Sequence, residues 1–153
     1  MKMKYCLTIT TVLALVSTLV WPQANPSGDE PLYDFLCGTY RVIGRLPDSD
    51  QLYSGKVELK LSGDHLQVVR VLGDERVRGT GRIESVTPDK VKILRVRFRS
   101  KNKEYEATYL IGSDLDNYGR LTGTVYIKGG GTRTPGLEAL FIENPEGGRR
   151  PSQ

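Results

Sequence analysis

The chain is expected to fold as an all-β domain, an eight-stranded antiparallel up-and-down meander barrel preceded by a signal-peptide helix. Three observations predict this. Between Thr39 and Ile142 apolar and polar residues alternate in eight short runs, the period-two pattern of half-buried strands. Clusters of Gly, Pro, Asp and Asn separate the runs, and links this short join neighbouring strands antiparallel. Gly55, Gly79, Gly81 and Gly123 lie inside the runs, where they weaken a flat sheet but permit the tight coiling of a small barrel. The same strands also fit a two-sheet sandwich. The barrel is favoured because closure removes edge strands.

Residues 1–24 have the parts of a signal peptide: Met1-Lys2-Met3-Lys4, an apolar stretch from Tyr5 to Trp21, then Pro22-Gln23-Ala24. The stretch holds 17 residues, among them Thr8, Thr10, Thr11, Ser17 and Thr18, and a stable span wants ~20 predominantly apolar ones. Cleavage is therefore expected over a permanent anchor. The product is then exported, periplasmic or extracellular, with no membrane span once the leader is gone. Residues 25–30 read as a polar linker and 31–143 as the barrel domain. Pro31 to Cys37 is a compact apolar segment, read as too short for a real helix and as one turn that plugs the domain. The expected strands are residues 39–44, 53–61, 66–72, 77–84, 91–99, 105–111, 121–127 and 137–142. Residues 144–153 carry Pro, Gly and Arg with little apolar area, which predicts a disordered tail.

The whole chain has 22 basic and 18 acidic residues, a net charge of +4. The leader takes Lys2 and Lys4 with it, and the small excess that remains gives no argument for a nucleic-acid partner. Removing Cys6 leaves Cys37 alone, so no internal disulfide is expected although the compartment permits one. A domain of this size can bury a core unaided, and a monomer held by packing and strand pairing is expected.

Catalytic chemistry finds little support. His65 is the single histidine, beside the Ser62-Gly63-Asp64 turn, where a solvated strand-end role is the ordinary one. Cys37 follows Phe35 and Leu36, and a buried thiol is inert. Zinc lacks soft or imidazole ligands. Asp48 and Asp50 in one loop, and Asp114, Asp116 and Asn117 in another, fall at opposite barrel ends and read as turn formers rather than calcium ligands. Gly129-Gly130-Gly131 through Gly136 has no Gly-Lys-Ser/Thr ending, so it is a hairpin loop and not a phosphate cradle. No catalytic residue, metal ligand or cofactor is assigned, and the chain is not expected to be an enzyme.

Two features point to binding. Arg76, Arg78 and Arg82 share the outer face of the fourth strand, and Arg95, Arg97 and Arg99 that of the fifth. Like charges on adjacent strands repel unless neutralised. A turn at residues 100–103 sets Arg99 opposite Glu104 and Arg97 opposite Glu106, leaving the fourth strand less compensated. Arg76, Arg78, Arg82 and Arg95 are thus the candidate face for an anionic envelope component: lipopolysaccharide, an acidic glycan or a membrane surface. Inside, Leu66, Val68, Arg70 and Leu72 share one face. A buried Arg70 needs a partner, either a ligand carboxylate or a protein one such as Glu138. Tyr40, Tyr53, Tyr105, Tyr109 and Tyr126 either line a pocket or fill the core. The candidate ligand contacts are Tyr40, Arg70, Tyr109 and Tyr126.

Gly38-Thr39-Tyr40, after a short apolar turn and before a meander, resembles the Gly-x-Trp position of lipocalins, with Tyr40 in place of Trp. Over residues 32–142 the pattern is similar to the calycin group of lipocalins, fatty-acid-binding proteins and avidins, and to small exported bacterial proteins with the same hairpins. That resemblance implies the barrel and carries no residue-by-residue ligand contacts. The expected function is a non-catalytic binding protein for a small apolar or amphipathic ligand. The alternative is a structural or interaction module of the cell envelope, working through its outer arginines.

Overall fold

The computed structural model describes residues 29–112 and 119–143; the leader, most of the linker and the tail lie outside the described residues. One short helix, α1 (Glu30–Leu36), precedes eight strands: β1 (Gly38–Arg45), β2 (Leu52–Ser62), β3 (His65–Leu72), β4 (Glu75–Val86), β5 (Val91–Ser100), β6 (Lys103–Ile111), β7 (Gly119–Ile127) and β8 (Gly136–Glu143). Each strand pairs antiparallel with its successor, and β8 returns to β1. The result is a closed up-and-down barrel, not a sandwich.

The alternation seen in the sequence sets which side chains point inward. Tyr40 and Val42, Val57 and Leu59, Leu66 and Val68, Leu94 and Val96, Ala107 and Tyr109, Leu121 and Val125, and Leu140 form one buried cluster. The registers set Arg97 opposite Glu106 and Arg99 opposite Glu104, as the turn at 100–103 requires.

The plug is a two-turn helix and not the single turn expected. Seven residues suffice because Pro31 occupies the first turn, where its missing N–H costs nothing, and because packing rather than propensity stabilises it. Leu36 and Tyr33 are buried in the barrel core. The Tyr33 hydroxyl donates to the Asp64 carbonyl at 3.3 Å and accepts from the Ile83 amide at 3.2 Å. Asp29 pairs with Lys92 at 2.9 Å. The helix thus closes the end carrying the β2–β3 and β4–β5 turns. Gly38 turns the chain into β1 at φ +149, a value that side-chain-bearing residues avoid.

The other end holds the β1–β2, β3–β4, β5–β6 and β7–β8 connections. Asp48 organises it: its side chain accepts from the Arg133 and Thr134 amides at 2.8 and 2.7 Å, and its own amide donates to the Thr134 carbonyl. Here the wall also parts. The β4–β5 ladder ends at Gly79 opposite Phe98, although β4 begins at Glu75 and β5 continues to Ser100. Only a hydrogen bond from the Ser100 hydroxyl to Glu75, 2.6 Å, crosses that gap among the described residues.

Strand glycines mark the tightest approaches. A Cβ on Gly123 would collide with the Thr108 carbonyl and lie 2.8 Å from the Tyr109 Cα, both backbone and unable to yield. Gly131, in the β7–β8 loop, meets nothing within 4 Å. Gly123→Ala is expected to cost about 1–3 kcal/mol in urea unfolding, and Gly131→Ala less than about 0.5 kcal/mol.

Candidate functional site

Midway along the barrel the apolar lining gives way to charge. Arg70 on β3 and Glu138 on β8 face each other across the lumen, with side chains 2% and 0% exposed. The guanidinium is bidentate: Nη2 donates to Oε1, and Nη1 donates to Oε2 at 3.2 Å. Two hydroxyls complete the carboxylate's shell. Tyr53 on β2 donates to Oε1 and Tyr109 on β6 to Oε2. Arg70 Nη1 also donates to the Tyr109 oxygen at 3.2 Å. The Arg70 guanidinium lies 4.4 Å from the centre of the Phe98 ring, which stacks on Tyr105 at 5.2 Å.

The strand registers explain how the tyrosines reach. Glu138 is opposite Gly44 on β1 and Gly123 on β7. Beyond those glycines, one strand further, stand Tyr53 opposite Gly44 and Tyr109 opposite Gly123. Neither intervening strand has a side chain in the way. A Cβ at Gly44 would sit 2.6 Å from the Tyr53 ring and hydroxyl. The glycines therefore clear a lane on each side of the carboxylate.

Burial raises the cost of every unpaired charge here, and the pair answers that cost. Desolvation alone would lower the Arg70 pKa, but Glu138 and the two phenols outweigh it and hold the guanidinium more firmly protonated. Burial first, then the Glu138 charge, pushes the Tyr53 and Tyr109 phenols well above the ordinary value of 10.0. Both stay neutral and donate.

One donor is left over. Arg70 Nε is buried and has no acceptor among the described residues. Arg70 also lines a cavity of about 100 Å³ at the parted end, with Tyr53, Leu72, Val77, Phe98 and Tyr105 as walls and Leu46, Pro47, Glu75, Ser100 and Lys101 at the rim. That volume is about a third of the ~300 Å³ at which ligand pockets usually begin. It suits a few water-sized groups, at ~30 Å³ each.

Of the sequence candidates, Arg70 and Tyr109 come together at this cluster. Tyr40 and Tyr126 do not join it. Tyr40 is fully buried and donates to the Leu36 carbonyl at 2.9 Å, tying β1 to the plug. Tyr126 stands on the outer wall opposite Glu106, 40% exposed. The sequence alone offers Glu138 only as an alternative partner of Arg70 and Tyr53 only as one of five tyrosines that line a pocket or fill the core. The signal is the registered glycines: Gly123 points to Glu138 through the β6–β7 and β7–β8 hairpins, and Gly44 points to Tyr53 once the β8–β1 closure is known.

Outside, the arginines divide into two groups. Arg95 contacts Glu84 at 2.7 Å and Glu106 at 2.5 Å, and Arg97 contacts the same two acids at 3.3 and 2.9 Å. Desolvation works against Glu106, yet both guanidiniums lower its pKa. Arg82 pairs with Asp64 at 2.8 Å; the neighbouring His65 ring at 3.1 Å and then Arg82 hold that carboxyl below its ordinary range. Arg76, Arg78 and Arg99 make no ion pair among the described residues. Cys37 is half-buried at the end of α1. Asp114, Asp116 and Asn117 lie outside the described residues. No protein-family model matches the chain, and a search of curated proteins finds no significant match.

The raised phenol pKa values carry a sign. Unfolded tyrosines ionise near pH 10, while Tyr53 and Tyr109 keep their protons in the fold. Their contribution is full below about pH 10 and is lost as pH climbs above it, because the unfolded state then releases more protons. Urea midpoints should fall above about pH 10, and Tyr109→Phe should make that fall shallower while costing about 1–3 kcal/mol at neutral pH through the exposed need of Glu138 for a donor.

Proposed function

We propose that this chain is a non-catalytic binding protein, exported behind its apolar leader, that seats the polar end of a small amphipathic molecule in the parted end of its barrel. The observation that carries the reading is Arg70 itself, whose Nε is buried without an acceptor among the described residues and whose side chain lines a cavity of about 100 Å³. A buried donor without an acceptor costs about 1–3 kcal/mol, and a ligand acceptor recovers that energy. The closed meander is consistent with the calycin-like resemblance of Gly38-Thr39-Tyr40, and calycins as a group enclose ligands in such barrels.

The cluster also fixes what kind of end group fits. Glu138 already neutralises Arg70 through two hydrogen bonds, so a ligand carboxylate would bring a second negative charge beside the first. A neutral acceptor, such as a carbonyl, amide or hydroxyl oxygen, suits Nε better. Phe98 and Tyr105 offer ring surface to an apolar stem, and Leu46 and Pro47 flank its way out. The cavity holds the end group only, not a fatty-acid-sized body.

Native mass spectrometry of the full chain purified from its own source tests this. An added mass is expected in the parent and is expected to disappear in Val77→Phe, which fills the cavity from the position opposite Arg70 on β4 and leaves both members of the charge pair in place. No adduct in the parent, or an adduct undiminished in Val77→Phe, contradicts the reading.

A further inference from the structure

We infer that the outer side of the β4–β5 gap is a second site, built to take a sulfate or phosphate monoester group borne on an acidic glycan. Arg78 and Arg99 flank the point where the ladder stops at Gly79 opposite Phe98. Both are exposed. With Thr80, Arg97, Glu104 and Lys128 they line a hollow of about 340 Å³ on the outer wall.

The acids along this wall are outnumbered by the cations that share them. Glu84 and Glu106 are shared between Arg95 and Arg97. Asp64 holds Arg82, and Glu104, opposite Arg99 in the register, lies 3.7 Å from Lys128, so the hollow's one acid is shared between two cations. Arg78 and Arg99 repel each other, and one carboxylate among Arg78, Arg97, Arg99 and Lys128 leaves the hollow with excess positive charge. A tetrahedral oxyanion relieves this: its three terminal oxygens accept from two planar forks at once, the geometry at which arginine surpasses lysine. Thr80 adds a hydroxyl to the same hollow.

The shape selects the carrier. A bilayer surface is broad and flat and cannot enter a hollow. Laid across this end, it would also meet Asp74 and Glu75 on the β3–β4 turn and the Asp48–Asp50 loop. A pendant ester group on a polymer chain enters the hollow and leaves its backbone outside. Arg76, also exposed and without an ion pair among the described residues, lies two residues along β4 from Arg78, ~7 Å away on the same face, and extends the site along the chain direction.

Titration calorimetry of the full chain with a sulfated dextran oligosaccharide tests the site. Binding is expected at low salt and should weaken as the Debye length shortens toward about 8 Å at physiological ionic strength. Arg78→Gln/Arg99→Gln should weaken it by at least about tenfold, the equivalent of one charge-assisted hydrogen bond. Each single change should give a partial loss, which keeps the test open if the double variant folds poorly. Arg82→Gln, whose partner is Asp64, should leave affinity unchanged. Unsulfated dextran should not bind, and vesicles of phosphatidylglycerol should bind more weakly than the oligosaccharide. The inference is overturned by parent-like affinity in the single and double variants, by an equal loss in Arg82→Gln, or by vesicles that bind as tightly as the oligosaccharide.

Discussion

A carboxylate with four hydrogen bonds sits where a small barrel would ordinarily hold only apolar side chains, and the rest of the structure is arranged around it. Glu138 receives both arms of Arg70 and the hydroxyls of Tyr53 and Tyr109, so β2, β3, β6 and β8 are tied together across the lumen. Taking two charges out of water is expensive, and their attraction compensates only when the geometry is good and the remaining lone pairs are filled. Here the lone pairs are filled from the protein. The cluster is therefore a device of specificity as much as of stability: it fixes which strands face one another and leaves no room for a slipped register, since a slip of one residue would turn Arg70 or Glu138 out of the barrel.

The same arrangement divides the barrel along its axis. Toward α1 the interior is a packed apolar core closed by Leu36 and Tyr33. At the Arg70 level, where the opposing Val77 has no β5 partner, the β4–β5 ladder has stopped and the wall parts. The proposed inner and outer sites lie on the two sides of that gap, with Phe98 lining both hollows. Inside, Phe98 supports the Arg70 guanidinium; outside, its neighbours Arg97 and Arg99 face solvent. The inner site follows from a donor left over after neutralisation, and the outer one from guanidiniums left over after the acids are shared out.

Much of this was legible in the sequence because strand alternation is a local signal. The eight runs and the inward set Leu66, Val68, Arg70 needed only period two, and the Arg97–Glu106 register needed only a turn two residues long. The plug was harder. Seven residues read as one turn because isolated propensity does not hold so short a helix, whereas Leu36 and Tyr33 draw their stability from a core assembled by distant strands. Tyr40 and Tyr126 show the other gap. Alternation within β7 already sets Tyr126 on the face opposite Leu121 and Val125, so its place among the candidate ligand contacts runs against a local signal, and Tyr40 was spent on the Leu36 carbonyl at the closed end. The lane at Gly44 depends on the closure of β8 onto β1, residues nearly a hundred positions apart, and no local pattern announces that pairing, whereas the lane at Gly123 needs only the consecutive β6–β7 and β7–β8 hairpins.

The most direct test of the buried pair as the organising contact is a double-mutant cycle on Arg70→Met and Glu138→Leu, followed by urea unfolding. Either change alone strands a charge in the lumen and should cost about 3–5 kcal/mol, while the two together should cost less than either, because the uncompensated charge is gone. Single changes that cost under about 1 kcal/mol and simply add in the double variant would show that the two residues do not depend on each other, and the account built on their pairing would fail.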